Sequence, residues 1–476
     1  MNQRIFITII ISILLSFIIS CAINPVTGRQ ELMLVSEGQE INIGKEAAPS
    51  LRWEFGGYYN DSALESYLDE IVKQLWRNSE RPQLPVKFHI QNTSIPNAFA
   101  LPGNVAITRG LLSEMENEAQ FAAVIGHEIG HVMARHTAVK LTRLTLQKLG
   151  LSIGAVALQG TTGSDALLQV GAIGSSLLLL KYDRSQEIQA DRLGVKYMSR
   201  LGYDPHEAIS AHNVLQKTVD NYLKRAGKSR TEDNFVSQML STHPRTEVRI
   251  NEIQAMINEL PPYHVQGDGK FSSRFESSIK KIRETNKIYF IYDEAENYYQ
   301  KKNFSAAEES LRKAINLDDS QAPFYNLLGF VKLQEKNYPE AEKSYQKSLS
   351  IDTDYQPSYY GLGLVRYFQD NFRQAINEFK KSLDLYPDHL QTQLGLGKSY
   401  FQLKQFKEAI PYLKNFQEAV PKHPEVHGFL GICYENAGDM SEAIKEYRYQ
   451  LEIAPDNEMG KHAKKRLTVL IPRRNL

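Results

Sequence analysis

The sequence predicts an α+β domain followed by an all-α solenoid of helical repeats. The chain has 476 residues, which is too long for one hydrophobic core. Helical and strand-like apolar patterns alternate in its first half, and its second half repeats at a constant interval. Its 56 basic and 55 acidic residues nearly cancel. The sequence has no clustered excess of basic residues of the kind that indicates nucleic-acid binding. We therefore expect protein partners.

Residues 1–20 have the features of a signal peptide. Arg4 precedes an apolar run of 15 residues, 5–19, which is shorter than the ~20 residues that span a bilayer. The run ends in "IISC", which resembles a bacterial lipobox. This resemblance implies that Cys21 becomes the first mature residue and carries a lipid. The alternative is an uncleaved anchor with an incidental cysteine.

The first domain is predicted at residues 21–260. The segment "SALESYLDEIVKQLW" places apolar residues at helical spacing, and "PVKFHIQ" alternates as a strand does. "NAFALPGNVAITRGLL" predicts two short strands around residues 102–104 and then the start of a helix. Residues 149–180 carry one charge, but small and polar residues interrupt them. A buried helix or a flap near the site is therefore favoured over a membrane span.

A linker is predicted at residues 261–287, where Pro, Gly and Ser are mixed with charged residues. The repeats follow at 288–471. Five segments align without gaps, and their second residues lie 34 apart, at Phe304, Tyr338, Phe372, Phe406 and Met440. This period resembles the tetratricopeptide repeat, a pair of antiparallel helices. The predicted units are 288–321, 322–355, 356–389, 390–423 and 424–457, and a capping helix covers 458–471.

The first helices of such repeats line a concave groove that binds peptides. By resemblance, its positions are Tyr289, Tyr292, Tyr299, Asn326, Phe330, Tyr360, Tyr367, Leu394 and Phe401. The alternative is that half of these aromatic side chains pack between helices.

The stretch "VIGHEIGHVMARH" carries the chemistry that the sequence predicts. His127 and His131 are four apart on a predicted helix, so they share a face and can bind one metal ion. Glu128 lies one step round the helix, where a general base can take a proton from water. The alternative is two histidines in a polar seam between helices. His136 follows His131 by five residues, about 140° round the helix, and misses the site unless the helix breaks.

The remaining ligand is predicted in "SQEIQADRLG". Glu187 and Asp191 are again four apart, so Glu187 can bind the metal while Asp191 accepts the far N–H of a ligand histidine. Two histidines and one glutamate leave a coordination position open, as in catalytic zinc sites. The alternative is a solvated acidic face paired with Arg184 and Arg192.

The stretch "MLSTHPRTEVRI" supplies two further candidate site residues, His243 and Arg249. Proline restricts His243 to extended geometry, which fixes where its ring points. His243 could stabilise an oxyanion or occupy the open metal position at rest, and Arg249 could hold a carboxylate or the oxyanion. The alternative is a helix N-terminus at Ser241 and Thr242.

The motifs "HEIGH", "EIQAD", "NAFALPG", "GYDP" and "STHP" together resemble the gluzincin family of HtpX-type and CAAX-prenyl-protease-type zinc metallopeptidases. The signal segment, "NPVTGRQELMLVS" and the repeats resemble its periplasmic, BepA-like branch. The resemblance implies one zinc ion at His127, His131 and Glu187, with Glu128 as catalytic base and His243 in a regulatory or transition-state role. It also implies a substrate-binding edge strand at Asn97, Ala98, Phe99, Ala100 and Leu101.

These observations favour a lipid-anchored zinc endopeptidase of the bacterial envelope. We expect it in the periplasm, attached to the outer membrane through Cys21. Its substrates would be misfolded or misassembled envelope proteins captured by the repeats, and the outer-membrane protein assembly machinery is a candidate partner. A second hypothesis is a chaperone or adaptor whose peptidase is largely latent. A third is a structural metal site, which the open coordination position disfavours.

Overall fold

The computed structural model describes residues 21–148, 177, 181–227, 243 and 247–471. The chain divides into two compact units, with the division between Asp293 and Glu294. Three predicted features lie outside the described residues, namely the signal peptide at 1–20, the apolar segment at 149–180 except for Leu177, and the helix start at Ser241 and Thr242. No helix in the described ranges is long and apolar enough to cross a membrane.

The first unit mixes helices with short strands. Its early elements are β1 (Cys21–Ile23), β2 (Gln30–Leu32), α1 (Glu37–Glu54), α2 (Ser62–Arg77), β3 (Phe88–Gln91), β4 (Ala98–Leu101), β5 (Asn104–Thr108) and α3 (Arg109–Leu112). Its later elements are α4 (Glu118–Met133), α5 (His136–Lys148), α6 (Arg184–Arg200), α7 (Glu207–Ala226), α8 (Glu247–Glu259) and α9 (Ser272–Gln300), which runs on past the division.

The predicted strands around residues 102–104 are confirmed as β4 and β5. These strands pair antiparallel, with Ala98 opposite Ile107, while β3 pairs parallel to β5. The strand order β3-β5-β4 leaves β4 at one edge of this sheet among the described strands. The predicted helix at 62–76 is also confirmed, because α2 buries Leu64, Leu68, Ile71 and Leu75 in the core.

Helices α4 and α6 pack against each other through small residues. A Cβ atom added at Gly194 would lie 2.9 Å from the backbone nitrogen of His127, and one at Gly130 would lie 3.1 Å from Ala190 Cα. At Gly126, the nearest atom to an added Cβ is Gly194 Cα, at 3.1 Å. The two backbones are therefore in close contact along the faces that carry the candidate site residues.

The linker predicted at 261–287 differs from the structure. Residues from Ser272 onward belong to the long helix α9. Phe275, Ile279 and Ile282 on this helix are fully buried in the core of the first unit. Their spacing of four and three residues is helical, and burial of this stripe stabilises a helix in a segment whose composition is typical of a linker.

The second unit consists of paired helices, as predicted. They are α10 (Phe304–Leu317), α11 (Ala322–Gln334), α12 (Tyr338–Ile351), α13 (Gln356–Phe368), α14 (Phe372–Leu385), α15 (Leu390–Gln402), α16 (Phe406–Ala419), α17 (Val426–Ala437), α18 (Met440–Ile453) and α19 (Glu458–Leu470). Added Cβ atoms at Gly329, Gly363 and Gly431 would collide with the rings of Tyr345, Phe379 and Tyr447, respectively. Each glycine thus makes room for an aromatic ring on the next helix.

Two of the predicted groove residues pack inside the protein instead. Tyr289 belongs to the first unit, is 1% exposed, and lies under the guanidinium group of Arg109 at 3.7 Å. Asn326 is 7% exposed and donates a hydrogen bond to Ser358 Oγ. The other groove positions are half-buried, namely Tyr292, Tyr299, Phe330, Tyr360, Tyr367, Leu394 and Phe401. A peptide groove at these positions stays a prediction.

We predict that Gly194→Ala destabilises the first unit, because its methyl group would push α6 away from α4. Overpacking of this kind costs about 1–3 kcal/mol, which exceeds the helix-propensity gain of about 1 kcal/mol. Urea unfolding with and without added zinc should show lower stability and weaker stabilisation by zinc. Gly38→Ala is the matched control, since no atom lies within 4 Å of an added Cβ there. Equal stability of the two variants would contradict tight packing of these helices.

Candidate metal centre

Helix α4 places His127 and His131 on one face. The helix begins after Asn117, whose side chain accepts a hydrogen bond from the backbone N–H of Gln120. The two histidine Nε2 atoms lie 3.1 Å apart. His131 is 1% exposed, and the side chain of His127 is 12% exposed. The predicted pair of imidazoles therefore converges on one point at the border of the core.

Helix α6 brings Glu187 to the same point. Its N-terminus is fixed by a capping box between Asp183 and Gln186. Glu187 Oε1 lies 3.5 Å from His131 Nε2, and Glu187 Oε2 lies 3.7 Å from His127 Nε2. The side chain is 2% exposed, so the alternative of a solvated acidic face does not apply to Glu187.

The donor atoms fit a zinc ion. Zinc–ligand bonds of about 2.0–2.1 Å in a tetrahedron place neighbouring donors about 3.3–3.4 Å apart. The separations of 3.1 and 3.5 Å between His127, His131 and Glu187 are close to this value. One donor atom from each of these three residues and one from His243 all lie within 4.8 Å of one another. Imidazole nitrogens and a carboxylate oxygen are typical zinc donors.

Hydrogen bonds behind the rings set the histidine tautomers. His127 Nδ1 lies 2.8 Å from Asp191 Oδ1, and an ionised carboxylate can only accept, so the lone pair of His127 Nε2 faces the centre. His131 Nδ1 lies 2.8 Å from His136 Nδ1, and His136 Nε2 lies 2.9 Å from Gln189 Oε1. When His136 Nε2 donates to Gln189 Oε1, His136 Nδ1 accepts a hydrogen bond from the Nδ1–H of His131. The lone pair on His131 Nε2 then faces the centre.

His136 lies behind His131, a position that the sequence did not predict. The helix breaks where the backbone of Arg135 adopts a φ of 58°, and α5 then begins at His136. Arg135 is buried, and its Nε donates to Glu40 Oε2 at 3.0 Å. A long-range ion pair thus holds this turn, and nothing in the local sequence signals it. Tyr182 was also missed, and its ring stacks on His131 with centroids 3.9 Å apart.

Arg249 holds carboxylates, which was one of its two predicted roles. Its Nε lies 2.7 Å from Asp191 Oδ2, and its Nη1 lies 2.8 Å from Glu187 Oε2. Burial alone raises the pKa of Glu187, but His243, His127 and Arg249 lower it to about 2. For Asp191, bonds from Arg249 and His127 likewise outweigh burial and hold the pKa well below its usual range. Both carboxylates therefore stay ionised and available as ligand and acceptor.

His243 lies at the fourth corner of the centre. Its Nδ1 is 2.9 Å from Glu187 Oε1 and 3.4 Å from His127 Nε2. Burial lowers the pKa of His243, but the Glu187 and Glu128 carboxylates raise it to about 9. This position is compatible with either predicted role, since the ring occupies the side of the centre that faces Glu128.

Glu128 lies beside the donor atoms. It is 6% exposed, and its Oε1 is 4.0 Å from His243 Nε2. Burial raises the pKa of Glu128, while His243 and His127 lower it to a smaller extent. A carboxylate with a raised pKa is a better proton acceptor, which is the property a general base needs.

The predicted substrate strand is β4, with Asn97 just before it. Ala98, Phe99, Ala100 and Leu101 have exposures between 2 and 5%. Ala98 and Ala100 pack into one core cluster, and Phe99 and Leu101 pack into another on the opposite face. These exposures are of whole residues, so the backbone of β4 is covered together with its side chains, and pairing of an extended ligand with this edge stays a prediction.

Two parts of the chain match families of known proteins. Residues 62–257 match Peptidase family M48, and tetratricopeptide repeats match at 290–321, 320–388, 360–419 and 394–458. The "Beta-barrel assembly-enhancing protease" of Escherichia coli strain K12 is 27% identical over 255 residues, which cover 52% of this chain and 50% of that protein.

Two eukaryotic relatives also match slightly less than half of the chain. The "Mitochondrial metalloendopeptidase OMA1" of Arabidopsis thaliana is 32% identical over 225 residues, covering 45% of this chain and 41% of that protein. The Schizosaccharomyces pombe protein of the same name is 29% identical over 242 residues, which cover 49% of this chain and 66% of that protein. The chain spans about half the length of the bacterial relatives that it matches. Residues 62–257 thus match the model of Peptidase family M48, and matches to tetratricopeptide repeats follow them in this chain.

Proposed function

We propose that this protein is a zinc-dependent endopeptidase. The observation that carries the proposal is a buried glutamate, Glu128, next to a complete set of zinc donors on His127, His131 and Glu187. The relatives named as a protease and as metalloendopeptidases support the same activity. A purely structural zinc site would not require a general base beside the ligands.

The chain's own residues account for the proton transfers of peptide hydrolysis. A bound zinc ion supplies the Lewis acidity that the reaction needs. Glu128 takes a proton from the attacking water at its carboxylate and returns it to the leaving amine. Asp191 keeps the Nδ1 proton on His127, and His136 orients His131 from behind. Arg249 holds Glu187 and Asp191 in place.

We expect Glu128→Gln to keep one zinc ion per chain and to lose cleavage of an unfolded protein. General acid–base catalysis contributes about 10²–10⁴-fold, so the rate should fall by at least 100-fold. Zinc content by metal analysis and casein cleavage followed by mass spectrometry measure the two effects. The control is Glu114→Gln, an exposed residue just ahead of the same helix. Full activity of Glu128→Gln would show that Glu128 is not the general base.

A second candidate function is a chaperone or adaptor with a largely latent peptidase. The position of His243 within the donor set favours it, because a ring at the fourth corner would exclude water or substrate from the ion. The repeats would then carry the resting function by binding protein segments, and displacement of His243 would release the peptidase.

If His243 blocks the centre, His243→Ala should raise the rate of casein cleavage severalfold at unchanged zinc content. A histidine that stabilises the transition state would give the opposite result, a fall of about 10²–10³-fold. His206→Ala is the control, since this histidine is at the surface and its ring lies 2.8 Å from Asp204 Oδ1. A lower rate in His243→Ala would therefore reject latency through this ring.

We also propose that the protein acts in the bacterial envelope, anchored to the outer membrane through a lipid on Cys21 in the periplasm. The lipobox-like "IISC" supports export and lipidation. The name of the Escherichia coli relative supports misassembled envelope proteins as substrates and the outer-membrane assembly machinery as a partner. The half-buried aromatic residues of the repeats are suited to capturing such segments.

Lipidation predicts that the mature chain begins at residue 21 and is heavier than its polypeptide by the mass of its acyl groups. Intact-mass measurement of protein purified from membranes tests this directly. Cys21→Ser should move the protein from the membrane fraction to the soluble fraction, whereas Cys433→Ser, at a buried thiol, should leave it on the membrane. A wild-type chain that retains residues 1–20 would contradict lipidation at Cys21 and favour the alternative of an uncleaved anchor.

A further inference from the structure

The first residues after the predicted signal peptide pack behind the metal centre. We call residues 21–40 the N-terminal arm, which comprises β1, β2 and the first turn of α1. The arm precedes residues 62–257, the range that matches Peptidase family M48. The backbone N–H of Leu34 donates a hydrogen bond to Thr142 Oγ1 on helix α5 at 2.9 Å, and the next residue, Val35, is 1% exposed. The arm is therefore fixed to α5, the helix that follows α4 in the chain.

Asn24 in the arm bonds to the end of helix α4. It is 1% exposed, and its Nδ2 donates a hydrogen bond to the carbonyl oxygen of Ala134 at 3.2 Å. Ala134 is the residue at which α4 ends. The backbone N–H groups of Val26 and Thr27 donate to Asn24 Oδ1, which holds this side chain within its own turn. Carbonyl groups at the end of a helix lack intrahelical partners, so Asn24 supplies one from the arm.

Glu40 and Val35 in the arm hold Arg135, the next residue along the chain. Arg135 Nε donates to Glu40 Oε2 at 3.0 Å, and its Nη2 donates to the carbonyl oxygen of Val35 at 2.7 Å. Arg81 Nη2 donates to the same Glu40 oxygen at 3.0 Å, and its Nη1 donates to the carbonyl oxygen of Val132 at 2.9 Å. Glu40 is 4% exposed, and a buried carboxylate is tolerated when it is paired in this way. Glu40 therefore ties the arm to the turn between α4 and α5.

The turn that the arm holds sets the position of His136. Arg135 has a φ of 58°, and residues other than glycine persist in this left-handed region only where their surroundings fix them. The turn directs the chain into α5, whose first residue, His136, has its Nδ1 2.8 Å from His131 Nδ1. Partners on the far nitrogen of a ligand histidine orient its ring and tune its affinity for the metal. The arm thus acts on His131 through Arg135 and His136.

We propose that the N-terminal arm is part of the metal centre, and that Asn24 and Glu40 are positioning residues for the zinc ligand His131. Loosening of the arm lets the turn relax, moves the His136 ring away from His131 and weakens zinc binding. This inference rests on zinc binding under the proposed function and deepens it, because it adds to the site a segment outside the range that matches the peptidase family. The arm begins at Cys21, so the proposed lipid is attached to the element that supports the metal centre.

The first test is Glu40→Gln, which keeps the length of the side chain but removes the charge shared by Arg81 and Arg135. Changes behind metal ligands typically cost about 10–100-fold in affinity, so we expect zinc to bind about 10-fold more weakly or worse. Competition with a chelating dye measures this affinity in the full chain. Cobalt(II) bound in place of zinc should show an altered visible absorption band, because that band reports the geometry of the ligands.

Glu37→Gln is the matched control for this variant. Glu37 pairs with the same nitrogen of Arg81, at 2.9 Å, from the exposed start of α1. Its substitution removes an equal charge from the same helix, so it should retain the wild-type zinc affinity and the wild-type cobalt spectrum.

The second test removes the bond from Asn24 to Ala134. Glu31 Oε1 accepts another bond from Asn24 Nδ2, at 2.9 Å. The combined variant Asn24→Asp/Glu31→Gln reverses the direction of that bond and keeps the acceptor for the N–H groups of the turn, but it leaves no donor for the Ala134 carbonyl. We expect zinc affinity to fall by about 10-fold or more. Glu31→Gln alone is the control, since it keeps both bonds of Asn24 and should bind zinc as the wild type does.

A background of His136→Ala separates positioning from general stability. If Glu40 acts through His136, Glu40→Gln changes zinc affinity by less than about 3-fold in this background. An equal loss in both backgrounds would overturn the proposal, as would wild-type zinc affinity in both test variants. Should Glu40→Gln fail to fold, the combined variant at Asn24 and Glu31 decides, because it removes a single hydrogen bond. A wild-type chain that binds neither zinc nor cobalt would overturn the proposed zinc site itself.

Discussion

The close approach of helices α4 and α6 is the constraint on which the metal centre depends. Gly126, Gly130 and Gly194 have no side chains at the contact, so the backbones lie closer together than larger residues would permit. Each helix supplies two polar residues four positions apart, and the approach brings His127, His131 and Glu187 to one point, with Asp191 behind the ring of His127. A larger residue at the contact would separate histidines from carboxylates even if every ligand were retained.

The second requirement is electrostatic. Glu187 and Asp191 are buried at 2 and 4% exposure, and buried carboxylates are costly unless they are paired. Arg249 pairs with both and His243 pairs with Glu187, but the nearby Glu128 makes three carboxyl groups against these two basic side chains. The lone pairs of His127 and His131 also face each other across 3.1 Å. A divalent cation relieves both conditions, so metal binding and folding stability are coupled at this centre.

The sequence predicted the features that follow from local periodicity, and it missed those that depend on distant partners. The helical spacing of four residues correctly grouped His127 with His131 and Glu187 with Asp191. The alternating pattern also located the two strands around residues 102–104. The role of His136 could not be derived because the turn at Arg135 is held by Glu40, which is distant in sequence. Residues 272–287 of the helix at 272–300 were predicted as part of a linker because composition concealed their apolar stripe.

Recognition of an extended substrate at β4 would depend on backbone contacts. The side chains of β4 are buried on both faces, so pairing with its edge would be insensitive to substrate sequence. Such pairing needs an extended segment with free backbone groups, and folded proteins offer few of these because their strands are already paired. Such a site would discriminate mainly between folded and unfolded chains. Any choice among unfolded proteins must then come from other surfaces, and the aromatic first helices of the repeats are the surfaces suited to it.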